Sequence, residues 1–311
     1  MIVRWGLSEL PGLAGERPLV VASPRWREVL PDAERWEEVP SHRIEVPEGV
    51  DTIVAVGGGS AIDTAKAASA TAGLPLVSVP TTYSGAEWTG FFGVRDPDRR
   101  MRGGGSGANL HAIVYDPELT LDLPLRVTVG TALNALAHTA EALYVREATD
   151  ETDAHALEGA RLIGTWLPRV VESPGDIEAR TELLRGACHA GAALGGSMLA
   201  LGHALAQGLG GRYGAPHGAL NALTLPAALR FNEPVAGDEI ARFAEALGTD
   251  DPAARVEELA RLGGFERLRD LGIPEEAAIE VADAVAGRPG AKANPRPVTP
   301  ADVTELIRSI W

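Results

Sequence analysis

The chain has 311 residues, of which 45% are hydrophobic and only 5% aromatic, and its formal net charge is −15. This length and composition predict a globular protein with room for two domains and a core of mainly aliphatic side chains. The acidic balance argues against nonspecific nucleic-acid binding, which needs a basic footprint. It does not exclude an anionic substrate, because a few local arginines can override the net field.

Cysteine usage and hydropathy indicate the compartment. Cys188 is the only cysteine, so no disulfide can form within the chain, which suits a reducing environment. The N-terminal sequence is unlike a signal peptide, because Arg4, Glu9 and Pro11 interrupt its apolar residues. No segment reaches the roughly 18 uncharged apolar residues of a membrane span. We therefore expect a soluble cytoplasmic protein with neither a membrane nor a nucleic-acid partner.

Short apolar runs alternate with turn residues in the first third of the chain. The predicted buried strands are Leu19–Ala22, Thr52–Val56, Leu76–Val79 and Ala112–Tyr115. An alanine-rich helix at Ile62–Ala72 lies between the second and third of these strands. Strand, helix and strand in that order predict a parallel α/β sheet.

From about Gly130 onward, helical periodicity replaces the strand pattern. This pattern predicts an α/β domain at residues 1–125 and an all-helical domain at residues 126–311. The predicted helices are Leu133–Arg146, Thr152–Val171, Ile177–Leu209, Gly218–Arg230, Asp238–Leu247, Ala253–Leu262, Pro274–Ala286 and Pro300–Ile310.

Three segments rich in glycine or proline are predicted to be irregular. Gly103–Gly107 has the composition of a mobile loop, and Gly210-Gly211 marks a turn. Arg288–Pro300 contains four prolines and is predicted to be an extended linker onto the last helix.

A glycine turn follows the second predicted strand and opens a helix. Gly57, Gly58 and Gly59 allow the backbone to turn tightly and to approach a ligand without Cβ clashes. The first N–H groups of the helix, together with the hydroxyl of Ser60, then form an anion site suited to a phosphate. A plain strand–helix turn is the alternative, since glycine triplets alone are weak evidence.

Hydroxyl groups follow the third predicted strand, in the order Thr81, Thr82, Tyr83 and Ser84. The carboxyl ends of parallel strands face the cleft in which α/β sheets bind ligands. A polar turn with a helix cap is the alternative. Together with the glycine turn, these hydroxyls favour a nucleotide site.

Three histidines have spacings that suit one shared site. His138 follows Asn134 by four residues, so both side chains lie on one helical face. His203 and His217 flank a glycine-rich stretch later in the chain. Three converging imidazoles indicate either a metal centre or a proton-transfer centre. Histidines that merely satisfy polar groups in a helical core are the alternative.

The ordered motifs GGGSAIDTAK, PTTYSGAEWT, YDPELT, NALAHTAEALY and GHALAQGLGGRYGAPHG resemble those of the iron-containing (group III) alcohol dehydrogenases. PTTYSGAEWT, NALAHTAEALY and the late ANPRPVT are most similar to the maleylacetate reductase branch. The resemblance runs from about Asp51 to the C-terminus. It implies a dinucleotide-binding α/β domain, shortened at its N-terminus, followed by an all-helical catalytic domain in a homodimer.

The resemblance also implies how the α/β domain binds a cofactor. Gly58, Gly59 and Ser60 would hold the pyrophosphate, and Gly57 belongs to the same turn. The residues expected on the ribose and nicotinamide side are Thr81, Thr82 and Ser84.

The residue after the first predicted strand bears on cofactor choice. Many relatives carry an acid there that reads the ribose hydroxyls, whereas this chain has Ser23, with Arg25 and Arg27 close behind. A 2′-phosphate meets no carboxylate here, so both NADH and NADPH are expected to serve. Solvated helix charges are the alternative role for the two arginines.

In metal-dependent relatives an aspartate and three histidines bind a divalent ion, and the matching residues here are Asn134, His138, His203 and His217. Asparagine is a poorer ligand than aspartate, although three imidazoles can still hold zinc or iron. We favour histidines that polarise a substrate and exchange protons without a metal. Gln207 is a further departure, because relatives commonly carry a titratable histidine there.

The resemblance implies an NAD(P)H-dependent oxidoreductase of the maleylacetate reductase type, acting on a small anionic or carbonyl substrate. Its catalytic residues would be Asn134, His138, His203, Gln207 and His217. One alternative is an alcohol dehydrogenase with a metal on the three histidines. Another is a repurposed lyase, cyclase or binding protein without redox activity.

Outside this set, three arginines are candidates for binding a substrate carboxylate, namely Arg126, Arg146 and Arg212. Glu141 follows His138 by nearly one helical turn. It is expected to serve helix packing, with a hydrogen bond to the site as the alternative.

Overall fold

The computed structural model describes residues 1–98, 100–145 and 149–311. These residues form two compact units, Met1–Leu123 and Pro124–Trp311. Among the described residues, no helix combines the length and the apolar character needed to cross a bilayer.

The first unit is built on a six-stranded parallel sheet with the strand order β1-β8-β5-β4-β2-β3, and β6 and β7 form a separate antiparallel pair. The strands are β1 Ile2–Trp5, β2 Pro18–Ala22, β3 Glu34–Trp36, β4 Thr52–Gly57, β5 Pro75–Pro80, β6 Phe92–Arg95, β7 Met101–Gly105 and β8 Asn109–Tyr115; the helix α1 spans Gly59–Ala72. The predicted parallel α/β class is confirmed.

Both faces of the central strand β4 are covered, which explains its continuous apolar sequence. Val54 and Val56 pack into the same cluster as Leu10, which belongs to the 3₁₀ segment near the N-terminus. Ile53 and its neighbours on the opposite face pack with Ile62 of α1. Burial on both faces removes the alternating polar residues that a half-exposed strand would show.

The expectation of a mobile loop at Gly103–Gly107 is wrong for its first part. Gly103 to Gly105 lie in β7, paired antiparallel with β6. A Cβ at Gly105 would lie 2.8 Å from Cζ of Phe92, so the missing side chain makes room for the ring. Glycine here serves close packing across a strand pair rather than mobility.

In the described residues of the second unit, all regular secondary structure is helical, as predicted. Its helices are α2 Leu125–Tyr144, α3 Asp150–Glu172, α4 Ile177–Gly195, α5 Leu201–Tyr213, α6 His217–Asn232, α7 Gly237–Leu247, α8 Pro252–Arg261, α9 Ala277–Glu280, α10 Ala282–Ala286, α11 Pro289–Ala293 and α12 Pro300–Ser309.

The single helix predicted over Ile177–Leu209 is two helices, α4 and α5. The N-cap residue of α5, Ala200, has no capping side chain. Glu141 of α2 supplies the cap instead, since its carboxylate accepts the N–H groups of Ala200 at 2.7 Å and His203 at 3.0 Å. A cap from a distant helix leaves no signal in the sequence near Ala200. Helical periodicity alone therefore predicted one continuous helix.

Four other predictions for this unit are wrong. The helix predicted to begin at Leu133 begins at Leu125. The predicted helix Pro274–Ala286 is broken into the short helices α9 and α10, and the predicted extended linker over Arg288–Pro300 contains α11. The predicted turn at Gly210-Gly211 lies inside α5, which ends at Gly214 with a φ of 72°. Gly210 instead brings α5 close to α6, because its Cβ would lie 3.1 Å from Cδ1 of Leu220.

Helices α3 and α4 approach each other at glycines, which sets the first stability prediction. A Cβ at Gly159 would lie 3.0 Å from the backbone nitrogen of Ala190 and 3.2 Å from the carbonyl oxygen of Gly186. Gly159→Ala should therefore push the helices apart. We expect it to be about 2 kcal/mol less stable than the control Gly237→Ala, whose new Cβ would meet no atom within 4 Å. Chemical unfolding of the two variants measures the difference, and equal stabilities would contradict the packing described.

Candidate active site

The glycine turn lies at the carboxyl end of β4, where α1 begins at Gly59. Gly57 has a φ of 149°, a value that L side chains rarely adopt, and its carbonyl accepts the N–H of Thr81 at 3.0 Å. A Cβ at Gly58 would lie 2.9 Å from Cγ2 of Thr82. The turn after β4 and the hydroxyl-rich segment after β5 therefore pack directly against each other.

This packing groups hydrogen-bond donors at the start of α1. The N-cap Gly58 provides no side-chain cap, and Ser60 lies in the first turn of the helix. Thr82 is buried, and its Oγ1 has no hydrogen-bond partner among the described residues. Ser84 lies beside the turn, because a Cβ at Gly59 would be 3.6 Å from its Oγ. Helix N–H groups and an orphaned hydroxyl are the donors that a phosphate needs.

The two arginines that follow β2, Arg25 and Arg27, both contact acidic side chains. Ser23 follows this strand, whose last residue, Ala22, pairs with Val56 of β4. Arg27 forms two 2.8 Å hydrogen bonds with Glu37. Arg25 lies 3.4 Å from a carboxylate oxygen of Asp122. Each arginine thus already has an acidic partner, and neither presents an unmatched charge.

The three histidines of the second unit come together, although they belong to three helices. His138 lies on α2, His203 on α5 and His217 at the first position of α6. The rings of His138 and His203 stack with centroids 4.7 Å apart, and those of His203 and His217 lie 5.7 Å apart. His138 and His203 are buried, whereas His217 is exposed. The cluster therefore extends from the interior to the surface of the helical unit.

Glu141 orients the central imidazole. Its Oε2 lies 2.7 Å from Nδ1 of His203, in addition to capping α5. Since a carboxylate accepts hydrogen bonds, Nδ1 carries the proton and Nε2 presents its lone pair. Nε2 is buried and has no partner in the described part of the chain. The expectation that Glu141 serves helix packing gives way to the alternative, a direct hydrogen bond to the site.

Asn221 joins the site, and the sequence analysis missed it. Its Nδ2 donates to Oδ1 of Asn134 at 2.6 Å and lies 3.0 Å from Nε2 of His217. An amide nitrogen can only donate, so this ring nitrogen is the acceptor. Asn221 lies four residues after His217 on α6. This spacing is the signal that could have found it.

Two of the candidate metal ligands are hydrogen-bonded to Asn221. Oδ1 of Asn134 and Nε2 of His217 both accept from its Nδ2, so an amide group occupies the point that they share. Within residues 1–98, 100–145 and 149–311, no three His, Cys, Asp or Glu side chains are grouped as metal ligands. The orphaned atoms Nε2 of His203 and Nδ1 of His138 instead leave hydrogen-bonding capacity for a small polar molecule.

Burial decides the charge of His138. Desolvation, reinforced by the neighbouring His203 and His217, lowers the pKa of His138 well below 6.5. The ring is therefore neutral at neutral pH. A neutral imidazole can donate or accept a hydrogen bond without repelling its stacked neighbour.

Gln207 follows His203 by one turn on α5 and contacts an arginine that the sequence analysis did not select. Nη1 of Arg288 donates to Oε1 of Gln207 at 3.3 Å, and Nη2 donates to the carbonyl of Gln207 at 3.4 Å. The signal for Arg288 is hidden in sequence, because it lies in a proline-rich segment far from α5.

The arginines selected from sequence are engaged elsewhere. Arg212 is exposed and binds Glu280 at 3.1 Å. Arg126 is exposed and lies over the ring of Phe265, 4.7 Å from its centroid. Arg146 lies outside the described residues.

A parallel α/β unit with a phosphate-type turn, followed by a helical unit with a histidine cluster, defines a class of two-domain dinucleotide-dependent oxidoreductases. Residues 43–117 match the family model of iron-containing alcohol dehydrogenases, and residues 128–311 match the C-terminal model of the same family. The chain belongs to the iron-containing alcohol dehydrogenase family and is an oxidoreductase.

Curated relatives place it near one branch of this family. The chain is 39% identical to maleylacetate reductase of Burkholderia cepacia over 251 residues, which cover 80% of this chain and 71% of that protein. It is 36% identical to maleylacetate reductase of Sphingobium indicum over 258 residues, which cover 83% and 73%.

Solved structures agree on the fold. A putative alcohol dehydrogenase from Ralstonia eutropha JMP134 superposes with a TM-score of 0.88 at 31% identity, covering 100% of this chain and 95% of that one. Maleylacetate reductase from Agrobacterium tumefaciens gives a TM-score of 0.87 at 27% identity with the same coverage. The predicted family and fold are confirmed.

The three hydrogen bonds of Glu141 generate a prediction about the site. In Glu141→Gln, one amide oxygen replaces two carboxylate oxygens, and the NH₂ group faces donors. We expect a loss of about 1–3 kcal/mol of stability and a fall in turnover of about tenfold or more, because His203 loses its orientation. Chemical unfolding and steady-state kinetics measure both, with the exposed Glu305→Gln as control. Unchanged turnover in Glu141→Gln would show that this contact does not serve the reaction.

The depressed pKa of His138 predicts a pH dependence of stability. Because the pKa is lower in the folded protein than its unfolded value of about 6.5, the unfolded chain binds the extra proton. This group therefore favours unfolding as the pH falls below about 6.5 and has no such effect above it. His138→Gln should flatten the decline in thermal midpoint between about pH 6.5 and pH 5, whereas the exposed control His111→Gln should keep it. A wild-type slope in His138→Gln would rule out this origin.

Proposed function

We propose that this chain is an NAD(P)H-dependent reductase of the maleylacetate reductase type, acting on a small carboxylated substrate. The observation that carries the proposal is the pair of buried, unpartnered ring nitrogens, Nε2 of His203 and Nδ1 of His138. Polar atoms in a dry interior require a partner, and a substrate oxygen would satisfy them. Identity of 39% to a maleylacetate reductase supports this substrate class.

The histidines would bind and polarise the substrate. When bound, the reduced nicotinamide supplies a hydride, so the protein must position the acceptor and supply one proton. His203 is suited to hold that proton at Nε2, because Glu141 stabilises the imidazolium through Nδ1. His138 stacks on this ring and stays neutral, which keeps a second positive charge out of the site.

The hydrogen-bonded side chains of Asn134 and Asn221 would orient the part of the substrate that does not contact the histidines. Asn134 and Asn221 are both buried, and their hydrogen bond joins α2 to α6. His217 is exposed at the mouth of the cluster, where it can exchange protons with solvent. We assign catalytic or substrate-binding roles to Asn134, His138, His203, Gln207 and His217, and derive no step through a metal.

We propose that the α/β unit binds the cofactor at Gly57, Gly58, Gly59 and Ser60, with the remaining contacts from Thr81, Thr82 and Ser84. The orphaned hydroxyl of Thr82 and the uncapped start of α1 support this assignment. Ser23 carries no charge that would repel a 2′-phosphate. Arg25 and Arg27 would attract this phosphate only weakly, because each already forms an ion pair with an acidic residue. Both NADH and NADPH should therefore serve.

The enzyme is proposed to work in the cytoplasm as a homodimer. The single cysteine suits a reducing compartment, and the family resemblance supports the dimer. Light scattering coupled to gel filtration measures the assembly.

The test is an assay of reduced-cofactor oxidation by purified enzyme on adding maleylacetate. We expect turnover with both NADH and NADPH, and a loss of about a hundredfold or more in His203→Asn, because the proton donor is removed. Activity should persist after chelation, with less than stoichiometric metal by elemental analysis. Stoichiometric, activity-linked zinc or iron would instead favour a metal-dependent alcohol dehydrogenase. Failure to bind either cofactor would favour a non-redox role.

A further inference from the structure

Arg288 lies beside the helix that carries the central histidine of the site. It immediately precedes α11, and its guanidinium reaches back to Gln207 on α5. His203 and Gln207 are four residues apart, so they share one face of α5 and are about 6 Å apart along its axis. The guanidinium therefore contacts the residue one helical turn after His203, whose Nε2 has no partner among the described residues.

The guanidinium of Arg288 is poorly paired for a half-buried cation. Its two hydrogen bonds are long, and both acceptors are neutral oxygens of Gln207. Its Nε is buried and has no partner within the described residues. No carboxylate in the described part of the chain forms an ion pair with it. Desolvation lowers its pKa with no acidic neighbour to oppose the shift.

Several other arginines of the same unit form ion pairs. Arg230 binds Glu257, Arg242 binds Asp153 and Arg255 binds Glu258. The chain carries a net charge of −15, so acidic partners are abundant. An unmatched, partly desolvated guanidinium costs stability, which points to a ligand that supplies the missing negative charge.

The surface of α5 leaves room beside this guanidinium at Gly211, where a Cβ would meet only Nη2 of Arg288, at 3.9 Å. Gly208 is close-packed instead, because a Cβ there would clash with Cγ2 of Val285. Gln207 suits the same environment, because a neutral amide accepts from the arginine. A protonated histidine at position 207 would repel the guanidinium. The departure at Gln207 and the presence of Arg288 are therefore chemically compatible.

We infer that Arg288 is a specificity-determining residue that binds a carboxylate of the substrate. It contacts α5 one turn after His203, beside which the reducible group of the substrate would lie. The inference rests on the proposed function, because it takes the histidine cluster as the place where the substrate is reduced. A guanidinium matches the planar carboxylate and would exchange two long bonds to a neutral amide for charge-assisted ones. The favoured substrate class is then a small carboxylate whose reducible group lies a few carbons from the carboxyl group.

The test compares Arg288→Met and Arg288→Lys with the control Arg230→Met, which removes a paired arginine at the far end of α6. In Arg288→Met we expect the KM for maleylacetate to rise about tenfold to a hundredfold, with kcat changed much less. Arg288→Lys should recover part of the loss, because it restores the charge without the fork. Arg230→Met should keep the wild-type KM. An unchanged KM in Arg288→Met would overturn the inference. So would a loss of both kcat and thermal stability in Arg288→Met that Arg288→Lys does not rescue.

Calorimetric binding of succinate, a plain dicarboxylate, separates this inference from the proposed function. Succinate should bind the wild-type enzyme and bind Arg288→Met about tenfold or more weakly. If maleylacetate is not reduced but this difference appears, the carboxylate site stands and the proposed substrate fails. Equal binding to both proteins, or no binding to the wild type together with no maleylacetate turnover, overturns the carboxylate site.

Discussion

The candidate site of the helical unit depends on the hydrogen bonds that the carboxylate of Glu141 accepts. This carboxylate is fully buried and accepts hydrogen bonds from two backbone N–H groups and one imidazole. Such a group is stable in a dry interior only when donors surround it, so the start of α5 and the orientation of His203 are set together. Moving either one would leave a charge without partners.

Around this carboxylate, the site is built from neutral groups. His138 is kept uncharged by burial, and the Asn134–Asn221 pair links two helices without an ion. Neutral amides and imidazoles bind a divalent ion less strongly than a carboxylate-containing set, but they bind and polarise an organic oxygen well. The three-histidine cluster is thereby chemically suited to the direct substrate contact proposed above.

Gln207 shows how a departure from a family pattern depends on its neighbours. Considered alone, it removes a titratable group from the site. In the structure it lies against Arg288, where a neutral amide oxygen accepts a hydrogen bond and a protonated histidine would repel the guanidinium. An uncharged amide leaves the positive charge of Arg288 unneutralised, and the proposed carboxylate contact depends on that charge.

The sequence by itself determined the fold class, the four central strands and the grouping of the histidines. Strand periodicity and helical spacing are local properties, and the covered sheet appears directly in apolar runs such as Thr52–Val56. Only the tertiary structure decided where α5 begins, because its cap comes from Glu141, 59 positions before Ala200. It also brought Asn221 and Arg288 to the site, since these side chains meet their partners only when the helices that carry them pack together.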